Sequence, residues 1–264
     1  MTRVAIIGNS HIGAYMLARE AIEAAFPKVA LSFFALPRHS FSSCRYDENG
    51  VLIAREPAAE GLPDRIDLSE QDHILLTGQS FAISGLSRMI SDFDVLGLAP
   101  RGRARSVSLM LLTEFLDFRI ERYCEKLARF LRGDPRCVVV PAPFPADGAA
   151  DLPQDAAAWL EHPSAADLIG LWSDTVDYHM SGLDYGYMPQ PDHLTAGPGR
   201  SIGAYARAAT LAPEQTPAAP DYTHMNSDYG FAHFEAFARQ WLGLEPECRP
   251  HSPRKEYDNG LGPQ

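Results

Sequence analysis

The sequence predicts an α/β fold built round a doubly wound, mostly parallel sheet, and three observations predict it. Short apolar runs rich in β-branched residues occupy 4–7, 29–36, 73–77 and 137–140, and each stops at a glycine or proline (Gly8, Pro37, Gly78, Pro141). Continuous apolarity, rather than alternation, is what a strand buried on both faces requires. Between the first two runs Ile12, Tyr15, Met16, Ala18 and Ile22 recur at helical spacing and Pro27 stops the pattern, so this stretch reads as one strand–helix–strand unit. Finally, 264 residues that are 45% hydrophobic and 22% charged suffice for one large domain with a sizeable core, and exclude a chain disordered throughout.

The remaining elements follow in order. Asn49-Gly50 between Tyr46 and Val51 predicts a small β-hairpin. After a Gly/Pro/Arg-rich link at 97–105, the spacing predicts a long helix over 106–131 that buries Leu109, Leu112, Leu116, Ile120 and Leu127 along one stripe. Gly133, Asp134 and Pro135 break it before the fourth strand. Helices are expected at about 164–180 and 201–209, an extended piece at 185–188, and a proline-rich linker at 213–220. A last amphipathic helix, 227–242, carries Phe231, Phe234, Phe237, Ala238 and Trp241 on one side. Residues 1–244 are thus read as one domain with long excursions, and 245–264, which show no period, as a flexible tail.

Charge and composition narrow the function classes. Lys plus Arg less Asp plus Glu is 23 − 34 = −11, a field that opposes phosphate backbones and anionic lipid, so neither nucleic acid nor a membrane is an expected partner. Cys44, Cys124, Cys137 and Cys248 have neither a disulfide-framework nor a zinc-site spacing, and His179 and His193 fall in no metal-ligand pattern. With no run long enough to span a bilayer and an opening apolar run too short for a secretory signal, the expectation is a reduced, cytoplasmic protein without a metal site.

Chemistry is expected at the carboxyl ends of the strands. The first such end is Gly8-Asn9-Ser10-His11, which places a serine hydroxyl at a helix N-terminus, where it is either a nucleophile or a helix cap. Just before the last helix come Asp221-Tyr222-Thr223-His224, then Asn226, Tyr229 and Gly230. A serine nucleophile needs an imidazole to take its proton, and the imidazole needs a carboxylate to fix its tautomer. Asp221 three residues before His224 can deliver both from one loop, although aspartate also starts turns on its own account.

The combination of Gly8-Asn9-Ser10 after the first strand with Asp221-x-x-His224 before the last helix resembles the SGNH (GDSL-like) hydrolase superfamily. The resemblance implies a flavodoxin-like three-layer α/β/α sandwich, with Ser10 as nucleophile, His224 as general base and Asp221 as the orienting carboxylate. It implies cleavage of an acyl or acetyl ester on a small molecule, a carbohydrate or a lipid, which needs no cofactor, or acyl transfer by the same machinery. It also implies an oxyanion hole from a glycine amide after the second strand and an asparagine side chain after the third. Here those blocks read Arg38-His39-Ser40-Phe41-Ser42 and Gly78-Gln79-Ser80, so the donors fall to the Ser10 amide with Ser80 or Gln79. This divergence leaves open a degenerate ligand-binding relative without turnover. Gln190 faces the same edge as a substrate contact or a turn residue, His11 as a substrate contact or a first-turn surface residue, and Arg101, Arg103 and Arg105 form a basic cluster for an anionic group or a solvated loop. A dinucleotide site is disfavoured, because position 10 is serine where G-x-G-x-x-G needs glycine and the second strand ends Ala35-Leu36-Pro37 with no acid.

Overall fold

The computed structural model describes residues 1–36, 41–56, 62–130, 132–148, 158–207 and 221–248. It opens with β1 (Thr2–Gly8), α1 (Ile12–Ala25) and β2 (Val29–Ala35), the expected unit, with β1 and β2 parallel. The expected hairpin follows as β3 (Cys44–Tyr46) and β4 (Val51–Ala54), and a third strand, β5 (Arg65–Asp67), joins it. Next come β6 (His73–Gln79), α2 (Ile83–Asp92) and a two-stranded parallel pair, β7 (Asp94–Leu96) with β8 (Ser106–Ser108). The chain continues through α3 (Leu109–Phe130), β9 (Cys137–Pro141), α4 (Ala165–Ser181) and β10 (Gly186–Tyr187). A small antiparallel pair, β11 (Thr195–Gly197) and β12 (Arg200–Ser201), precedes the closing helix α5 (Ser227–Phe237).

Five strands form one parallel sheet in the order β10-β9-β6-β1-β2. Alternate strand residues face opposite ways, as the pleat dictates. Val4, Ile6, Leu75, Val138 and Val140 pack with Tyr15, Ala18 and Ile22 of α1 and Phe231, Phe234 and Phe237 of α5. Ala5, Ile7, Ile74, Leu76 and Val139 pack with α2, α3 and α4 through Leu86, Leu116 and Val176. Both faces are therefore covered, which explains the unbroken apolarity of the strands. Because β1 leads first to β2 on one side and the chain returns to β6 on the other, the order reverses at β1 and opens a crevice there.

Several expectations are corrected. The long helix starts at Leu109, not 106, because Ser106–Ser108 pairs with β7 and the Ser108 Oγ accepts the Leu111 amide at 3.1 Å as an N-cap. Leu109, expected in the buried stripe, is exposed in the first turn; Leu131 lies outside the described residues. No helix occupies 201–207: Ser201 donates its amide to Pro145, Ala206 bridges Met225, and only a 3-10 turn, Gly203–Tyr205, intervenes. Residues 208 and 209, and the linker at 213–220, lie outside the described residues. The last helix passes into a π turn at Ala238–Leu242 and ends at Gly243. Of the expected tail, Glu245 pairs with Arg239 at 2.8 Å and the Glu247 amide reaches the Ala25 carbonyl at 2.8 Å, while 249–264 lie outside the described residues.

Candidate active site

At the crevice, Gly8 ends β1 and the chain turns through Asn9 and Ser10 into α1. The Ser10 hydroxyl does not cap that helix, whose N-cap position is His11 and which has no side-chain capping bond. Instead Ser10 is exposed and its Oγ lies 2.8 Å from the His224 Nε2, across 214 residues of chain. On the far side of the ring, Nδ1 lies 2.8 Å from the Asp221 Oδ2. Ser10, His224 and Asp221 are thus one hydrogen-bonded relay, the geometry a serine nucleophile and its base require.

The Asp221 carboxylate divides its two oxygens between two tasks. Oδ1 accepts the backbone amides of Thr223 and His224 at 3.2 and 3.0 Å and the Thr223 hydroxyl at 3.1 Å, which shapes the turn. Oδ2 is left for the imidazole. Burial pushes the carboxyl pKa up, but these donors and the neighbouring imidazole outweigh burial and hold it below the ordinary carboxylate value. An ionised Asp221 accepts a hydrogen bond from Nδ1–H, which keeps the proton on Nδ1 and leaves Nε2 as the acceptor for the Ser10 hydroxyl.

The loop bearing Asp221 and His224 is anchored at its downstream end. Asn226 caps α5 by accepting the Tyr229 amide at 3.1 Å, while its own amide donates to the carbonyls of Ala204 and Ala206. The His224 carbonyl accepts the Arg207 amide at 2.8 Å. The Ser10 side is anchored by Asn9, whose Oδ1 accepts the His11 amide at 3.1 Å and whose Nδ2 donates to the Gly78 carbonyl at 2.7 Å. Gly78 has φ +80°, and a β-carbon there would strike the Asn9 carboxamide, so glycine serves both the turn and the contact.

Of the expected oxyanion donors, the Ser10 amide has no acceptor among the described residues. Gln79 is buried, its Nε2 donating to the Thr77 carbonyl at 2.9 Å and its Oε1 accepting the Tyr123 hydroxyl at 2.9 Å, so its amide is already committed. The Ser80 amide points at the Tyr123 oxygen at 3.3 Å, whereas the Ser80 side chain is exposed. Residues 38–40 of the second-strand block lie outside the described residues. Gln190 is not at the surface: its amide takes the Phe144 N–H at 3.0 Å and donates to Ser201 at 3.0 Å, tying two loops together rather than meeting a substrate. Two of the three clustered arginine side chains have partners. Asp94 accepts the amides of Arg101, Gly102 and Arg103, Arg101 also holds the Ala158 carbonyl at 2.9 Å, and Arg105 lies over the Phe93 ring.

Other residues emerge only in three dimensions. The His11 ring tilts against His224 with centroids 5.2 Å apart. After β6 the chain bends through Phe81 (φ 40°) and Ala82 (φ 57°), two non-glycine residues in the left-handed region, and the Trp172 indole clamps the Phe81 carbonyl at 3.1 Å. Behind the site His233 is buried against Tyr15, whose hydroxyl lies 2.9 Å from its Nδ1, and stacks on Tyr229. His179, by contrast, bonds Asp117 at 2.8 Å between α4 and α3. No cluster of His, Cys, Asp or Glu among the described residues could hold a metal ion, and no described helix is long and apolar enough to cross a membrane. The chain matches no protein-family model and no curated protein.

Proposed function

We propose that the protein is a serine esterase of the SGNH type, acting on a carboxylic ester of a small molecule or carbohydrate. The observation that carries this reading is the pair of 2.8 Å contacts that string Ser10, His224 and Asp221 together from the two ends of the chain. His224 takes the Ser10 proton as Oγ attacks the acyl carbon, then gives it to the departing alcohol, while Asp221 stabilises the imidazolium in between. The Ser10 amide, beside the positive end of α1, and the Ser80 hydroxyl are the groups offered to the oxyanion. Counted along the chain, the sheet strands run 2-1-3-4-5, the order of flavodoxin-like sheets, and this supports the flavodoxin-like sandwich expected of such an enzyme. The buried thiols of Cys124 and Cys137 fit a reduced, cytoplasmic setting.

A second reading, a relative that binds its ligand without turnover, is favoured by one observation: the Gln79 amide and the Ser80 N–H are both committed to Tyr123. Hydrolysis of a short-chain chromogenic ester separates the two. The esterase reading predicts turnover that His224→Ala abolishes with far-UV circular dichroism unchanged. No turnover by the wild type, with the ester bound, supports the second.

A further inference from the structure

A cavity of about 220 Å³ adjoins the relay on the side of Thr223 and Ser80. Its walls are the first turn of α2, through Ile83, and the loop after β9, through Pro143, Phe144 and Pro145; Trp159 and Trp172 close it. None of its described lining residues is charged. Phe144 meets Trp159 and Trp172 edge to face, at centroid distances of 6.0 and 5.9 Å, so the rings are held in place. Most of its polar lining side chains already have partners. The Trp172 indole holds the Phe81 carbonyl, the Gln79 amide holds Thr77 and Tyr123, and the Ser87 hydroxyl lies on the Ile83 carbonyl. Ser80 and Ser84 are exposed and therefore form the rim.

A second cavity, of about 230 Å³, shares no lining residue with the first and is lined by Ser10, His11 and His224 together with Met16, Leu17 and Arg207. During ester cleavage the Ser10 Oγ forms a bond to the acyl carbon and its proton passes to the His224 Nε2. The bond from that carbon to the alcohol oxygen then breaks, and the oxygen leaves with the proton. Water later attacks the acyl-serine, loses a proton to His224 and releases the acid, with the proton returning to Ser10. The alcohol oxygen therefore leaves beside His224, which together with Ser10 lines the second cavity.

Resting on the esterase reading above, we propose that the cavity of Ile83, Phe144, Trp159 and Trp172 is the acyl pocket, and that the substrate carries an apolar acyl group of about six carbons or a phenyl ring rather than acetyl. An apolar cavity of roughly 150 Å³ holds a benzene molecule, so this one accommodates a ring or a hexanoyl chain, and acetyl leaves most of it unfilled. With most of its polar lining groups committed, the cavity offers a sugar ring few hydrogen bonds, which places any carbohydrate on the alcohol side.

The test is an acyl series of p-nitrophenyl esters, acetate, butyrate, hexanoate, octanoate and phenylacetate, run on the wild type and on two cavity-filling variants, Ile83→Trp and Ala142→Leu. Each methylene buried is expected to raise kcat/KM roughly fourfold, to a gain on the order of 10² for hexanoate over acetate, with no further gain at octanoate. In a variant that folds, the hexanoate-to-acetate ratio collapses towards one. Acetate as the best substrate, or an unchanged ratio in both variants, overturns the pocket while leaving the esterase reading standing. If no ester is turned over, the esterase reading fails, and calorimetry on Ser10→Ala still decides the pocket. Methyl hexanoate bound at least tenfold more tightly than methyl acetate, with the preference lost on Ile83→Trp, supports it; equal binding overturns it.

Discussion

Gly230 of α5 lies backbone against backbone on Ala14 of α1, so close that a β-carbon at 230 would fall within the Ala14 carbonyl group. This contact sits one turn into each helix, directly behind the loops that carry His224 and Ser10, and it is what lets the two helices bring those loops together. Gly230→Ala is expected to cost about 1–3 kcal/mol by overpacking, a fall in Tm of roughly 3–10 °C. A displacement of even about 1 Å between base and nucleophile is expected to lower kcat by about 10². Calorimetry and ester hydrolysis check both; a variant with wild-type Tm and kcat contradicts the account.

The division of labour within Asp221 predicts two unequal effects. Asp221→Asn removes the charge that sets the imidazole tautomer and is expected to lower kcat by about 10⁴ with little change in KM. Thr223→Val removes a hydroxyl that touches only the turn-forming Oδ1, and about 1 kcal/mol translates to a loss of roughly fivefold. Steady-state kinetics on the two variants give the ratio, and equal losses would contradict the division.

Ser80→Ala tests the oxyanion donor. With Gln79 committed to Thr77 and Tyr123, the Ser80 hydroxyl is the side chain offered to the developing charge. Its removal is expected to lower kcat by about 10²–10³ and leave KM nearly unchanged. A variant with wild-type kcat would remove Ser80 from the mechanism.

Burial, aided by the nearby charge of His193, pulls the His233 pKa from 6.5 down to about 3. The unfolded chain therefore accepts a proton that the folded protein refuses, so this stabilising contribution is complete above pH 6.5 and is lost as pH falls from there towards 3. At about 1.4 kcal/mol per pH unit, roughly 2 kcal/mol is lost by about pH 5. Urea unfolding at neutral pH and near pH 5 should show that loss in the wild type and a flatter response in His233→Gln, whose amide still meets the Tyr15 hydroxyl. Identical pH responses in the two proteins would contradict the assignment.

The parallel core strands were legible because double-sided burial forces continuous apolar runs, as in 4–7 and 137–140. The relay was legible because Ser10 and Asp221-x-x-His224 each abut a helix start. α2 was hidden by its low-propensity serines and glycine, by the lack of a side-chain cap, and by the left-handed Phe81 and Ala82 that launch it. The strand at Ser106–Ser108 was masked by the helical period that runs on from it. By sequence Gln190 reads as a substrate contact or a turn residue and Gln79 as an oxyanion donor. Only the packed loops reveal that Phe144, Ser201 and Tyr123 consume them, since such long-range partners leave no local pattern.

Activation of Ser10 as a nucleophile is read out by a fluorophosphonate probe followed by peptide mass spectrometry. The account predicts one covalent adduct, on Ser10, formed at least about 10² faster in the wild type than in His224→Ala and absent from Ser10→Ala. No adduct on the folded wild type, or the same labelling rate with and without His224, would contradict it.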